Sequence, residues 1–148
     1  MSILERFMAY AADFEKTLAD DAWSRLAQHF SDDAVYRVES NLFGCELTGH
    51  ESIFAGMKKS LDGFDRNFPE REIAMMEGPT VEGDEMSVSW TVTYHKKDLP
   101  DFVLRGKSLA RFRDDKIELL VDSYDEQVNA EVGSWMRETG VKLDPSYT

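Results

Sequence analysis

The sequence predicts an α+β domain, a curved antiparallel sheet packed on three helices from the N-terminal half, with a fourth helix at the C-terminal end. Three observations predict it. Apolar residues recur at helical spacing through the first part of the chain. A strict period of two takes over in the second half. Short turns join the alternating stretches, which gives antiparallel strands with helices gathered on one face. With 148 residues, the chain can build one real core and is too short for two ordinary domains. Residues 1–148 are therefore read as a single domain.

The first helix covers Ile3 to Leu18, with Leu4, Phe7, Ala11, Phe14 and Leu18 on one stripe. Ile3 and Tyr10 widen that stripe. A second helix starts near Asp20-Asp21, where either acid can cap the exposed amides. It carries Trp23, Leu26, Ala27 and Phe30, and Ser31-Asp32-Asp33 breaks it. Ala34 to Glu39 alternates as a short strand, with Tyr36 and Val38 on one side. Thr48-Gly49-His50-Glu51 reads as a capping box that opens a third helix bearing Ile53, Phe54, Met57, Leu61 and Phe64.

The remainder reads mostly as sheet. A strand over Glu70 to Met76 is expected to end at Gly78-Pro79, and Gly83-Asp84 reads as a hairpin turn. Met86, Val88, Trp90, Val92 and Tyr94 alternate with Ser87, Ser89, Thr91 and Thr93. The loop Lys96 to Asp101 leads to Phe102–Phe112, and Arg113-Asp114-Asp115 turns into Lys116–Tyr124. The last helix runs from about Asp125 to Thr139 with Val128, Val132, Trp135 and Met136 on one face, and it stops at Gly140. The last strand is apolar on both sides: Ile117, Leu119 and Val121 alternate with Leu120 and Tyr124. A strand of that kind must be covered twice. The helices supply one cover, and a second copy of the sheet is the expected other, which predicts a homodimer.

Composition excludes several functions. A net charge of −12 with scattered basic residues opposes binding to nucleic acid and to anionic membrane surfaces. No apolar run approaches the roughly 20 residues a membrane helix needs, and the N-terminus lacks the pattern of a signal peptide. The single cysteine, Cys45, can make neither an internal disulfide nor a cysteine metal site, so a cytoplasmic location is expected. His29, His50 and His95 fit no zinc spacing and read as surface or capping residues. No glycine-rich phosphate loop is present in the sequence, so no cofactor is implied.

The order helix, helix, short strand, helix, then four strands resembles the cone-shaped nuclear transport factor 2-like superfamily. Phe30-Ser31-Asp32-Asp33-Ala34-Val35 resembles its helix-to-strand passage, and Thr48-Gly49-His50-Glu51-Ser52-Ile53 resembles a helix start of that group. Arg111 to Ile117, followed by Asp122-Ser123-Tyr124-Asp125, resembles the closing hairpin of ketosteroid isomerases, SnoaL-type polyketide cyclases and limonene epoxide hydrolases. The resemblance implies an apolar cone pocket for a small, mostly apolar molecule. Carried over by position, its wall comprises Tyr10, Phe14, Trp23, Tyr36, Val38, Phe54, Met57, Trp90, Val92, Tyr94, Leu104, Ser108, Asp122 and Tyr124.

The same positions test each chemistry. Ketosteroid isomerase-like catalysis needs a carboxylate base and two acids around the enolate, where this chain has Val38, Phe14 and Ser108. Glu39, next to Val38, is expected to face outward. Limonene epoxide hydrolase-like chemistry needs an Asp–Arg–Asp trio; Asp122 matches its last aspartate, whereas Trp90, Thr91, Val92 and Thr93 stand where the others belong. A SnoaL-like reading fits best, with Asp122 as acid–base group and Tyr36, Tyr124 or Tyr94 as donors. The competing reading is a non-catalytic ligand-binding or dimerisation module in which Asp122 only stabilises the fold.

Overall fold

The computed structural model of the protein describes residues 1–41 and 43–148. Three α-helices are present: α1 (Ile3–Asp20), α2 (His50–Gly63) and α3 (Glu126–Thr139). The strands are β1 (Phe30–Glu39), β2 (Cys45–Thr48), β3 (Glu70–Glu82), β4 (Glu85–His95), β5 (Phe102–Arg113) and β6 (Lys116–Ser123). They form one six-stranded curved sheet in the order β2-β1-β6-β5-β4-β3. All neighbours pair antiparallel except β1 with β6, which run parallel. The sheet is thus mixed rather than wholly antiparallel. A parallel pair needs a long crossover, and the whole run from β2 to β5 supplies it.

Local chemistry explains the elements. Ser2 and Glu5 cap each other's amides at the start of α1, a capping box that stabilises by about 1 kcal/mol. The expected box at Thr48 and Glu51 does not form. Thr48 stays in β2, paired with Val35, and Gly49 caps α2 from a φ of 86°, without a side-chain bond. The second helix is a 3₁₀ turn, Trp23–His29. β1 starts four residues earlier than its alternation suggests, because Phe30 already pairs with Ile117. A bulge between Phe30 and Val35 absorbs the polar trio, and Asp33 pairs with Arg113 at 2.5 Å.

β3 continues past Gly78-Pro79 to Glu82, with register shifts on either side of Glu77 that keep it paired to β4. Gly83-Asp84 makes the turn, as its sequence predicts. Asp114 and Asp115, both at positive φ, make the two-residue turn between β5 and β6. Asp125 caps α3 by accepting from the Val128 amide, and Gly140 ends it in the left-handed region.

Two apolar clusters hold the layers together. One joins α1, the 3₁₀ turn and α2 to the sheet through Phe7, Leu26, Phe30, Ile53, Ile117 and Leu120. The other is an aromatic pile of Phe64, Phe68, Tyr94, Phe102 and Trp135 beneath α3. Residues 141–148 run back along α2: Ser60 donates to the Pro145 carbonyl at 2.7 Å, and the Asp144 amide donates to the Gly63 carbonyl at 3.0 Å. Contact there is so close that a Cβ on Gly63 would lie 2.0 Å from the Asp144 carbonyl oxygen. No helix among the described residues is long and apolar enough to cross a membrane.

Candidate active site

Between the helices and the concave face of the sheet lies a cavity of about 390 Å³, within the usual range for small-molecule sites. Strand alternation aims Val88, Trp90, Val92 and Tyr94 of β4, Leu104 and Ser108 of β5, and Leu120 and Asp122 of β6 into it. Tyr36 enters from β1, Tyr10 and Phe14 from α1, and Met57, Ser60 and Leu61 from α2.

Asp122 anchors one end. Ser108 Oγ donates to its Oδ1 at 2.6 Å and Tyr36 Oη donates to its Oδ2 at 2.7 Å. Trp90 Nε1 donates to Ser108 Oγ at 2.9 Å. Indole nitrogen can only donate and a serine carries one hydroxyl proton, so the serine proton is committed to Asp122. Trp90 reaches Ser108 because it faces Gly106 across the β4–β5 ladder: a Cβ there would sit 2.6 Å from the indole ring. Tyr147 Oη lies 3.5 Å from Tyr36 Oη, and the Tyr124 ring meets Trp90 edge-on at 5.7 Å.

Burial pushes the Asp122 carboxyl above the ordinary aspartate value, against the pull of the Ser108 and Tyr36 hydrogen bonds. Burial also raises Tyr10, Tyr36, Tyr124 and Tyr147 above the usual phenol range. The phenols therefore keep their protons, and Tyr36 donates its own to Asp122. A carboxylate has about four acceptor sites, so two neutral donors leave room for a proton taken from a bound molecule.

A second polar group lies at the other end. Tyr94 Oη donates to Asp65 Oδ2 at 2.9 Å, and Arg71 bridges Asp65 at 3.2 Å and Glu15 at 2.5 Å. Burial raises the Asp65 carboxyl, while Arg71 and Tyr94 pull it down.

Eleven of the fourteen residues expected at the pocket line this cavity: Tyr10, Phe14, Tyr36, Met57, Trp90, Val92, Tyr94, Leu104, Ser108, Asp122 and Tyr124. Trp23, Val38 and Phe54 do not. Trp23 stacks on Phe54 with ring centroids 6.1 Å apart and donates its Nε1 to Asp21. Phe54 sits on the first turns of α2 against Phe30 and His50. Val38 does face inward, but it is fully covered in the core and does not reach the cavity. Glu39 is exposed, as strand alternation requires. Met75 of β3 reaches the rim and Met76 does not.

Sequence reasoning missed Tyr147, Ser60 and the Asp65–Arg71–Glu15 group. Tyr147 lies in a tail without periodicity, and Arg71 stands in Glu70-Arg71-Glu72, which reads as a solvated charge run. The histidines bond locally: His29 Nε2 lies 2.7 Å from Asp13, His50 Nε2 lies 3.0 Å from the Phe30 and Ser31 carbonyls, and His95 Nδ1 lies 2.8 Å from Asp101. Among the described residues no group of three or more His, Cys, Asp or Glu could hold a metal ion.

The model of the SnoaL-like domain family matches residues 11–119 of this chain. The chain belongs to the SnoaL-like domain family. No curated protein matches it. Among solved structures it is similar to TerC co-crystallised with polyporic acid, at 19% identity over 87% of this chain and 95% of that one, with a TM-score of 0.64. It is similar also to a putative polyketide cyclase from Pseudomonas putida, at 18% identity over 88% and 97% of the two chains and a TM-score of 0.62. A de novo designed protein with a curved β-sheet has a TM-score of 0.60 at 15% identity, over 93% of this chain and 99% of that one. At these identities the likeness is one of fold: a SnoaL-like domain has the nuclear transport factor 2-like cone.

Proposed function

We infer that this SnoaL-like protein binds a small, mostly apolar molecule in its cone and performs cofactor-independent acid–base chemistry on it, of the isomerase, cyclase or hydrolase kind. The observation that carries this reading is the state of Asp122: a buried carboxylate facing an apolar cavity, held on both oxygens by neutral donors, with no cation among the described residues paired to it to discourage its protonation. In the proposed step Asp122 accepts a proton from a carbon of the bound molecule. Tyr36 and Ser108 hold the carboxylate in place, and Tyr124 donates to the oxygen on which charge develops. The polyketide cyclase name attached to one similar structure is consistent with such a step.

A substrate-independent probe tests this. In 5-nitrobenzisoxazole, removal of the C3 proton breaks the N–O bond and releases a phenolate, so the rate reports the base alone. The wild-type protein should accelerate the reaction, with a rate that climbs with pH through the raised Asp122 pKa and then levels. Asp122→Asn should lose about a hundredfold or more with an unchanged circular dichroism spectrum. An equally fast Asp122→Asn protein would leave a non-catalytic binding module as the reading.

We also propose that the outer sheet face joins two copies. Val35, Leu109, Leu119 and Val121 alternate with the cavity-facing residues and so lie together on the outside of β1, β5 and β6. Ion pairs Arg37–Glu46 and Arg111–Glu118 flank them, an apolar centre with a polar rim. Sedimentation at micromolar concentration should give a dimer that Leu119→Lys dissociates; a wild-type monomer would end this proposal. The lone Cys45, which has no second cysteine to pair with, supports a cytoplasmic location.

A further inference from the structure

The Asp65–Arg71–Tyr94 group is more than a brace between α1 and β3. All three of its members line the same cavity as Asp122. Arg71 spends one terminal nitrogen on Glu15 and the other on Asp65, yet its Nε–H is buried with no acceptor among the described residues. A guanidinium has five N–H donors, and a buried donor left unmet is destabilising. Its charge, in contrast, is already matched by two carboxylates, so a further anion is not attracted. What the group lacks is an uncharged oxygen acceptor.

The sheet register fixes where that acceptor belongs. Asp122 faces Ser108, which faces Val88 on β4; Arg71 faces Tyr94, six residues further along the same strand. Along the strand direction their backbone positions are about 20 Å apart, and the wall between them is mainly Trp90, Val92 and Leu104. We propose that Arg71 is a recognition residue for a hydroxyl or carbonyl oxygen at the far end of an elongated, otherwise apolar ligand whose other end meets Asp122. The proposal rests on the reading that a ligand occupies the cone, and it adds the ligand's shape and the position of its second oxygen.

Three probes separate the parts: biphenyl, 4-hydroxybiphenyl and 4,4′-dihydroxybiphenyl, with binding measured from their fluorescence on the folded protein. Wild-type protein should hold the dihydroxy probe most tightly and biphenyl least. Arg71→Met should cost the dihydroxy probe about tenfold, the scale of one hydrogen bond to a charged group, and leave biphenyl unchanged. Arg71→Lys, which keeps the charge but loses the planar fork, provides a better-folded variant and should lose most of the same preference. An equal loss for all three probes in both variants would make Arg71 merely structural and overturn the proposal. Unchanged dihydroxy binding, or tighter wild-type binding of biphenyl-4-carboxylate than of 4-hydroxybiphenyl, would overturn it too. Failure of every probe to bind wild-type protein would remove the ligand-filled cone itself, whereas loss of Asp122-dependent proton abstraction alone would leave the Arg71 assignment standing.

Discussion

Asp122 and Asp65 sit at two ends of one cavity and share much. Both carboxyls are raised by burial, and each accepts from a tyrosine, Tyr36 at 2.7 Å and Tyr94 at 2.9 Å. The difference is a cation. Asp65 shares its Oδ2 with Arg71 at 3.2 Å, whereas the other partner of Asp122 is the neutral hydroxyl of Ser108. A guanidinium stabilises the ionised form and resists its protonation; hydroxyls position a carboxylate while leaving it able to take a proton. Under the proposed function two similar acids thus divide the work, one toward proton transfer and the other toward holding a charged donor in place.

The largest expected break in this contrast is in stability. Arg71→Met leaves Asp65 buried without its counter-charge and should cost about 3 kcal/mol in urea denaturation. Asp122→Asn removes no paired cation and should cost well under half of that. Equal losses would erase the distinction between the two ends.

A smaller effect sharpens it through pH. Because burial holds the folded-state carboxyl of Asp122 above its unfolded value, the native state binds more protons between those two values. The resulting stability is present in full below the unfolded pKa and is lost as pH rises through the folded one. Urea midpoints measured from pH 4 to pH 7 should therefore fall more for wild type than for Asp122→Asn. Asp65 titrates in both proteins and drops out of the difference. Parallel curves would mean that Asp122 is not held above its unfolded value.

Much of this fold is legible where one force dominates. The alternation from Met86 to Tyr94 becomes β4 with those residues facing inward, and Gly83-Asp84 and Gly140 act as the turn and stop their chemistry implies. Legibility fails where tertiary pairing overrides local preference. Ser31-Asp32-Asp33 looks like a break, but Phe30 has a strand partner and a bulge carries the acids outward. Gly78-Pro79 looks like an end, yet β4 continues alongside and keeps β3 extended.

The site divides in the same way. Asp122, Ser108 and Tyr36 can be found from strand parity once the sheet is assumed. Val38 shares the parity of Tyr36 and still misses the cavity, because parity gives a face and not how far the hollow extends. Trp23 and Phe54 are lost to a local stack. Arg71, Asp65 and Glu15 come from three separate segments, and nothing in a charge run signals that it will be turned inward.

The residues that shape the Asp122 end are also far apart along the chain, Tyr147 coming 111 positions after Tyr36. On the ribosome, Tyr36 emerges long before the segment that runs back along α2 and brings Tyr147 beside it. Every strand precedes that stretch in the chain, so a polypeptide stalled before it would carry the whole sheet and still lack the part of the cavity wall that Pro145 and Tyr147 supply.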